Sequence, residues 1–211
     1  MKFDLHSHSK YSSDGFLHPE KIVEIAIKKG LDGIAVTDHD TIKGGFEAKK
    51  YETNDFKVII GSEVSTSKGE IIGLYLYDEI KSNDFYDVLD EINSQDGIIV
   101  VPHPFDNFRK SASLTNQDYK LVNSIEIFNS RCVEKKFNQK AEFFARENNF
   151  GMTGGSDAHF ANEIGNAGVI IEDYDIKKAI KKNNLKVYGK RSNPFNHVLT
   201  KILKTKRKYL K

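Results

Sequence analysis

Two rhythms of apolar and polar residues alternate along the chain. KFDLH, LDGIAVTDH, KVIIGSEVST, GIIVVPHP, SIEIFN and AGVIIED are short, nearly continuous apolar runs, the pattern of strands buried on both faces of a sheet. Between them the apolar residues recur at helical spacing. LHPEKIVEIAIKKG sets Ile22, Ile25 and Ala26 on one face, with Pro19 near the first turn and Gly30 as the stop. NDFYDVLDEINSQ predicts an amphipathic helix capped by Asn83, and VEKKFNQKAEFFARENN and DIKKAIKKNN predict two more. TIKGGFEAKKYET reads as a polar helix weakened by its paired glycines. KVIIGSEVST and EIIGLYLY, separated by Ser-Lys-Gly, predict a hairpin, and GMTGGSDAH runs from a strand into a loop.

Strands alternating with helices predict an α/β fold with a parallel sheet covered on its outside. About seven such repeats in 211 residues predict a small barrel, one domain over residues 1–211, rather than two domains. The longest connection, FDNFRKSASLTNQDYK at residues 105–120, is expected to be a mobile loop beside the site.

Composition narrows the class. Hydrophobic residues at 38% and charged residues at 29% suit a soluble globular chain. No apolar run nears the roughly 20 residues of a membrane span, and the start lacks the apolar core of a signal peptide. The single cysteine, Cys132, forms no internal disulfide, so a reducing cytoplasm is expected. A net charge of +2 excludes no partner, but the cations are uneven. The segment HVLTKILKTKRKYLK, residues 197–211, carries Lys201, Lys204, Lys206, Arg207, Lys208 and Lys211 and no acid. Its plainer reading is a solvated helix end whose cations complement terminal carbonyls; the other is contact with phosphate backbones.

The seven histidines carry the candidate chemistry. His6 and His8 follow the first strand, His39 the second, His103 the GIIVV run, and His159 the GMTGG run; Glu63 and Asp157 fall in the same register. The C-terminal ends of strands are where a (β/α) barrel builds its site. Residues two apart on extended chain share a face, so His6 with His8, and Asp157 with His159, each aim at one point. Imidazoles and carboxylates gathered unpaired are costly to bury, and together they suit divalent zinc, manganese or iron. His18, before the Pro-Glu helix start, reads as a surface residue.

DLHSHSKYSSDG, AVTDHD, GSEVST, VPHPF and GGSDAH, in that order, resemble the motifs of the PHP (polymerase and histidinol phosphatase) family of metal-dependent phosphoesterases. The resemblance implies a distorted TIM-like (β/α)7 barrel and two to three divalent metal ions (Mn, Fe or Zn). It implies as ligands His6, His8, Asp14, His39, Glu63, His103, Asp157 and His159. Where many members have a histidine after the glutamate strand, this chain has Glu70, taken as the substitute ligand. One ion would take His6, His8, Glu63 and Asp157, a second Glu63, Glu70 and His103, a third Asp14, His39 and His159. A carboxylate at Glu70 favours manganese or iron over zinc. The implied reaction is hydrolysis of a phosphoester by metal-bound hydroxide without a side-chain nucleophile, leaving Cys132 a bystander.

Arg131, Arg191 and His197 are candidates for substrate binding at the mouth, and Asp38, Asp40 and Asn129 for supporting roles. The expected partner is a phosphorylated small molecule or a short nucleic acid, with no membrane; the basic segment leans toward nucleotides or oligonucleotides. The alternatives are a histidinol-phosphate type phosphatase and a barrel that binds nucleic acid without catalysis. Retained ligand side chains count against the latter.

Overall fold

Each helix forms where the apolar stripe meets a sheet and a start signal precedes it. In helix α1 (Pro19–Lys28), proline stands where its missing N–H costs nothing, and Ile22, Val23 and Ala26 are buried. Helix α3 (Phe85–Ser94) buries Phe85, Val88, Leu89 and Ile92. Its cap is Asp84, not the expected Asn83: the Asp84 carboxylate accepts from Tyr86 N and Asp87 N. Asn83 instead offers its carbonyl to Ser67 N at 2.8 Å.

The computed structural model describes residues 1–172 and 175–209. Asp173, the end of the AGVIIED run, and Lys211 of the basic segment lie outside the described residues. The other helices are α2 (Lys43–Lys49), α4 (Lys135–Glu147), α5 (Ile176–Lys181) and α6 (Phe195–Tyr209). The strands are β1 (Lys2–Asp4), β2 (Gly33–His39), β3 (Lys57–Thr66), β4 (Gly69–Leu74), β5 (Ile98–Val101), β6 (Ser124–Asn129), β7 (Gly151–Gly155), β8 (Ala167–Ile170) and β9 (Lys186–Gly189). They form one sheet in the order β7-β6-β5-β4-β3-β2-β1-β8-β9. Among the described residues no helix is long and apolar enough to cross a membrane.

The expected α/β barrel is present, and its distortion has two sources. The predicted hairpin is real: β4 runs antiparallel to both β3 and β5. β8 then returns antiparallel beside β1 and pairs with β9. The sheet curls until its two ends meet. Beyond β1 and β7 the chain continues as two extended segments bridged at Ser7 and Ala158, with His8 N donating to Ala158 O at 2.9 Å and Asp157 N to His6 O at 2.7 Å.

Alternation along the strands divides the core. Ile34 and Val36 pack with Ile22, Val23 and Ala26 of α1. Ala35, between them, faces the other way and joins Phe3, Ile59, Ile72 and Val100. The same alternation sends polar side chains inward near the C-terminal strand ends, where Thr37, Glu63 and Glu126 are buried.

Gly154-Gly155 ends β7 because no side chain fits there. A Cβ on Gly155 would lie 2.2 Å from His6 Cβ. Gly155→Ala is therefore expected to destabilise the fold by about 1–3 kcal/mol in chemical denaturation. Unchanged stability would show that His6 is not packed as described.

Candidate metal centre

His6 and His8 extend from β1, Asp157 and His159 from β7, and the Ser7–Ala158 bridge sets the two pairs face to face. His39 is the last residue of β2, paired in register with Glu63 on β3. Glu70 opens β4; because that strand runs backwards, its start lies at the same end of the barrel as the ends of its parallel neighbours. His103 follows β5. Its φ of 31° and the 55° of Asp157 put both in the left-handed region, strained conformations that persist where surrounding structure fixes them.

Every ligand candidate from the sequence arrives at one place. His8, Asp14, His39 and His159 form one group, His6, His8 and Asp157 a second, and Glu63, Glu70 and His103 a third, with donor atoms in each group within 4.8 Å of one another. Glu63 joins them: its Oε2 lies 3.3 Å from His6 Nε2, His8 Nε2 and His39 Nδ1, and its Oε1 is 3.0 Å from His103 Nε2. Glu70 Oε2 is 3.9 Å from His103 Nε2, and Asp14 Oδ1 is 3.3 Å from His159 Nε2.

The outer ring nitrogens are held by the protein. His6 Nδ1 donates to Glu126 Oε1 at 3.0 Å and His159 Nδ1 to Asp157 O at 2.8 Å. His8 Nδ1 lies 3.3 Å from Ser12 Oγ, which donates to Asp14 Oδ1. With the rings neutral, as they would be beside a bound cation, each Nε2 presents a lone pair inward. His6 Nε2 and His8 Nε2 then face each other at 3.1 Å, beside Glu63 Oε2 and a buried Asp157 Oδ1 that has no hydrogen-bond partner. Acceptors alone around one point are the donor set of a cation, so the residues fit divalent metal ions.

Electrostatics agree. Burial disfavours charge on His8, yet Asp157 and Glu63 outweigh it and raise its pKa to about 9. Burial likewise opposes ionisation of Glu63, but His6 and His39 hold it well below the usual carboxylate range. Glu70 is pushed up, by burial and then by Glu63. Positive charge is thus favoured at His8 and beside Glu63, whereas burial and then Arg131 lower the pKa of His159 to about 3.

The supporting groups were only partly anticipated. Asp38 accepts from Ser9 N and Ser9 Oγ, both at 2.6 Å, and Asp40 from Ser65 N at 2.7 Å. Asn129 Nδ2 donates to Glu126 Oε2 at 2.9 Å and Asp157 Oδ2 at 3.0 Å. Three residues apart on a regular strand, Glu126 and Asn129 would face opposite ways; an irregularity between Glu126 and Phe128 turns both toward the site. Sequence reasoning missed Glu126, although a glutamate amid SIEIFN was its signal. It also missed Asp4, buried and accepting from Ser156 N at 2.9 Å and Gly165 N at 2.8 Å. Arg109, which pairs with Asp157 Oδ2, had no periodic signal at all.

Of the substrate-binding candidates, His197 lines the main cavity, of about 410 Å³, with Asp14, His39, Glu70, His159 and Arg109. Arg131 also borders it, but is 3% exposed and spends its guanidinium on Thr200 Oγ1 at 2.8 Å and Glu163 Oε1 at 3.5 Å. Arg191 is not in this cavity: it borders a neighbouring recess and donates to Val133 O at 2.8 Å. The 105–120 segment does lie beside the site, held by Glu70 N donating to Lys110 O at 3.0 Å and Ser113 N to Lys68 O at 2.7 Å.

Comparison with known proteins gives one answer. Residues 4–192 match the PHP domain family. An uncharacterized protein of Methanocaldococcus jannaschii is 39% identical over 186 residues, 84% of this chain and 73% of the relative. A 5'-3' exoribonuclease of Haemophilus influenzae is 42% identical over 67 residues, 31% of this chain and 24% of the relative. A two-domain protein of Bacteroides vulgatus, containing a predicted PHP-like metal-dependent phosphoesterase, superposes with a TM-score of 0.77 at 20% identity, over 90% of this chain and 65% of that one.

Chelator-stripped protein should gain about 5–10 °C in Tm at a manganese concentration some 100-fold above its Kd, following the ~2.7 kcal/mol of linkage and the usual slope for this size. His8→Ala, which removes a member of two ligand groups, should lose most of that gain. Because ions displace the proton that Asp157 and Glu63 hold on His8, manganese affinity should rise from about pH 6 to about pH 8. No shift with manganese, iron or zinc at either pH would contradict the assignment.

Proposed function

Because the chain belongs to the PHP domain family, we propose that it is a metal-dependent phosphoesterase acting on a phosphomonoester or phosphodiester, with nucleotides or short oligonucleotides as its substrate class. The observation that carries this reading is the convergence of imidazole and carboxylate acceptors around the buried Glu63, beside an open cavity lined by Asp14, His39, Glu70 and His159. These residues would hold two to three divalent ions of manganese, iron or zinc, which would supply Lewis acidity toward phosphoryl oxygens and a lowered pKa for water.

The chain's own residues do the rest. Glu126 fixes the ring of His6, and Asn129 fixes the carboxylate of Asp157. Arg109, on the cavity wall beside Asp157, supplies a planar cation where phosphoryl oxygens would lie. No side-chain nucleophile is needed: Cys132 is buried, and burial pushes its thiol pKa up, which keeps it a poor nucleophile. The nucleotide preference is supported by Phe108, 70% exposed on the cavity edge, an aromatic face suited to stacking a base. The activity that the Haemophilus relative's name states points the same way.

Purified protein with manganese should hydrolyse an aryl phosphate and, faster, one of a panel of nucleotides and short single-stranded oligonucleotides. Asp157→Ala and His8→Ala should each abolish turnover while far-UV circular dichroism stays native. Arg109→Ala should lower kcat/KM about 10- to 100-fold, the loss of one charge-assisted contact. Full turnover in either ligand variant, or none in metal-loaded wild type across the panel, would overturn the reading.

A further inference from the structure

Three consecutive residues of the 105–120 connection each hold a different residue of the cluster. Arg109 pairs with Asp157 Oδ2. Lys110 O accepts from Glu70 N at 3.0 Å. Ser111 Oγ donates to His103 O at 2.6 Å and stands 3.4 Å from His103 Nδ1, the outer nitrogen of that ring. Asp157 belongs to one ligand group, Glu70 and His103 to another. In the remaining group, Asp14, His39 and His159 pair instead with one another, with Glu63 and with Lys204.

What keeps residues 109–111 against these ligands lies further along the chain. Asp118, which opens the short 3₁₀ helix Asp118–Leu121, is buried. Its Oδ1 accepts from Lys68 Nζ at 2.8 Å and Tyr86 Oη at 2.9 Å, and its Oδ2 from Thr115 N at 2.8 Å and Thr115 Oγ1 at 2.9 Å. Lys68 stands in the turn between β3 and β4, and Tyr86 in the first turn of α3. The Lys68 ammonium also lies 4.5 Å from the centre of the Tyr86 ring. Between this knot and the ligands, Ser113 N donates to Lys68 O at 2.7 Å. Gly69, with φ of 117°, permits the close approach, since a Cβ there would lie 2.4 Å from Ala112 Cα. Residues 110–118 are thus fastened to the hairpin turn that carries Glu70. A buried carboxylate is costly to keep, and at Asp118 its four contacts join three separate elements.

We propose that the knot at Asp118 is a positioning device for the metal centre. By fastening residues 110–118 to the hairpin turn, it presses Arg109, Lys110 and Ser111 onto Asp157, Glu70 and His103, and so sets the metal affinity of the two ligand groups they touch. Asp118, Lys68 and Tyr86 are positioning residues and not ligands. Linkage makes the coupling reciprocal: fastening that tightens metal binding is itself tightened by it. The proposal rests on reading the cluster as a metal centre.

The test titrates the full, metal-free chain with manganese by calorimetry and follows hydrogen exchange over residues 105–118 by mass spectrometry. In wild type, saturating manganese should slow exchange of that segment by about tenfold or more. Asp118→Ala should weaken one or two manganese sites about 10- to 100-fold, the loss typical when partners that orient metal ligands are removed. At least one site should keep its wild-type affinity, a split that a general loosening of the fold would not produce. Lys68→Met, the milder variant should Asp118→Ala not fold, should weaken the same sites about threefold, in keeping with one partly exposed ion pair. Lys50→Met, which breaks an exposed pair with Glu47 on α2, should change neither measurement. Unchanged affinity in the folded knot variants, an equal loss at every site, or exchange over 105–118 that ignores bound manganese would overturn the proposal. Wild type that binds no manganese, iron or zinc would remove the metal centre and the proposal with it, a failure told apart from the others by the wild-type titration alone.

Discussion

One buried carboxylate organises the whole C-terminal end of the barrel. Glu63 is fully buried, and its two oxygens lie within 3.3 Å of nitrogens from His6, His8, His39 and His103. An isolated carboxylate in such a place would be protonated or would destabilise the fold. Here Asp157, Glu70 and Asp14 crowd the same space, so the histidines, with Arg109 beside Asp157 and Lys204 beside Asp14, must balance several acids. Divalent cations held by these residues would resolve that imbalance.

The fold earns this cluster through closure rather than through any single loop. Parallel strands β2 and β3 hold His39 level with Glu63, and the hairpin reversal brings Glu70 up to them. The remaining ligands depend on the short ladder between the segments after β1 and β7. Glycine at 155 lets those segments approach, since any side chain there would strike His6. Stability and site geometry therefore share the same contacts.

Much of this was legible in the chain. Buried strands ending in histidine and acid mark the C-terminal rim of a barrel, because strand alternation and strand ends translate directly into position. Glu70 reads as a ligand only because the family resemblance places one at that position, and the hairpin sets it at the same end of the barrel as Glu63 and His103. What stayed hidden depends on irregular backbone. Arg109 reaches Asp157 from a connection without periodicity, and Asn129 turns inward through the irregularity in β6. Arg131, after the strand SIEIFN, and Arg191, in GKRSNPFNH, were both candidates for the mouth, yet one is buried against Glu163 and the other bonds a carbonyl outside the cavity. The basic segment was visible as charge, but which face of α6 meets the cavity is set by tertiary contacts such as that of Arg131 with Thr200.

The central claim is that Glu63 lies at the heart of a metal cluster. Anomalous diffraction from crystals grown with manganese tests it most directly. The account predicts anomalous peaks bonded to Glu63 and to the Nε2 atoms of His6 and His8, at about the 2.0–2.2 Å of nitrogen and carboxylate ligands. Strong peaks only at surface carboxylates, with none bonded to Glu63, would contradict it.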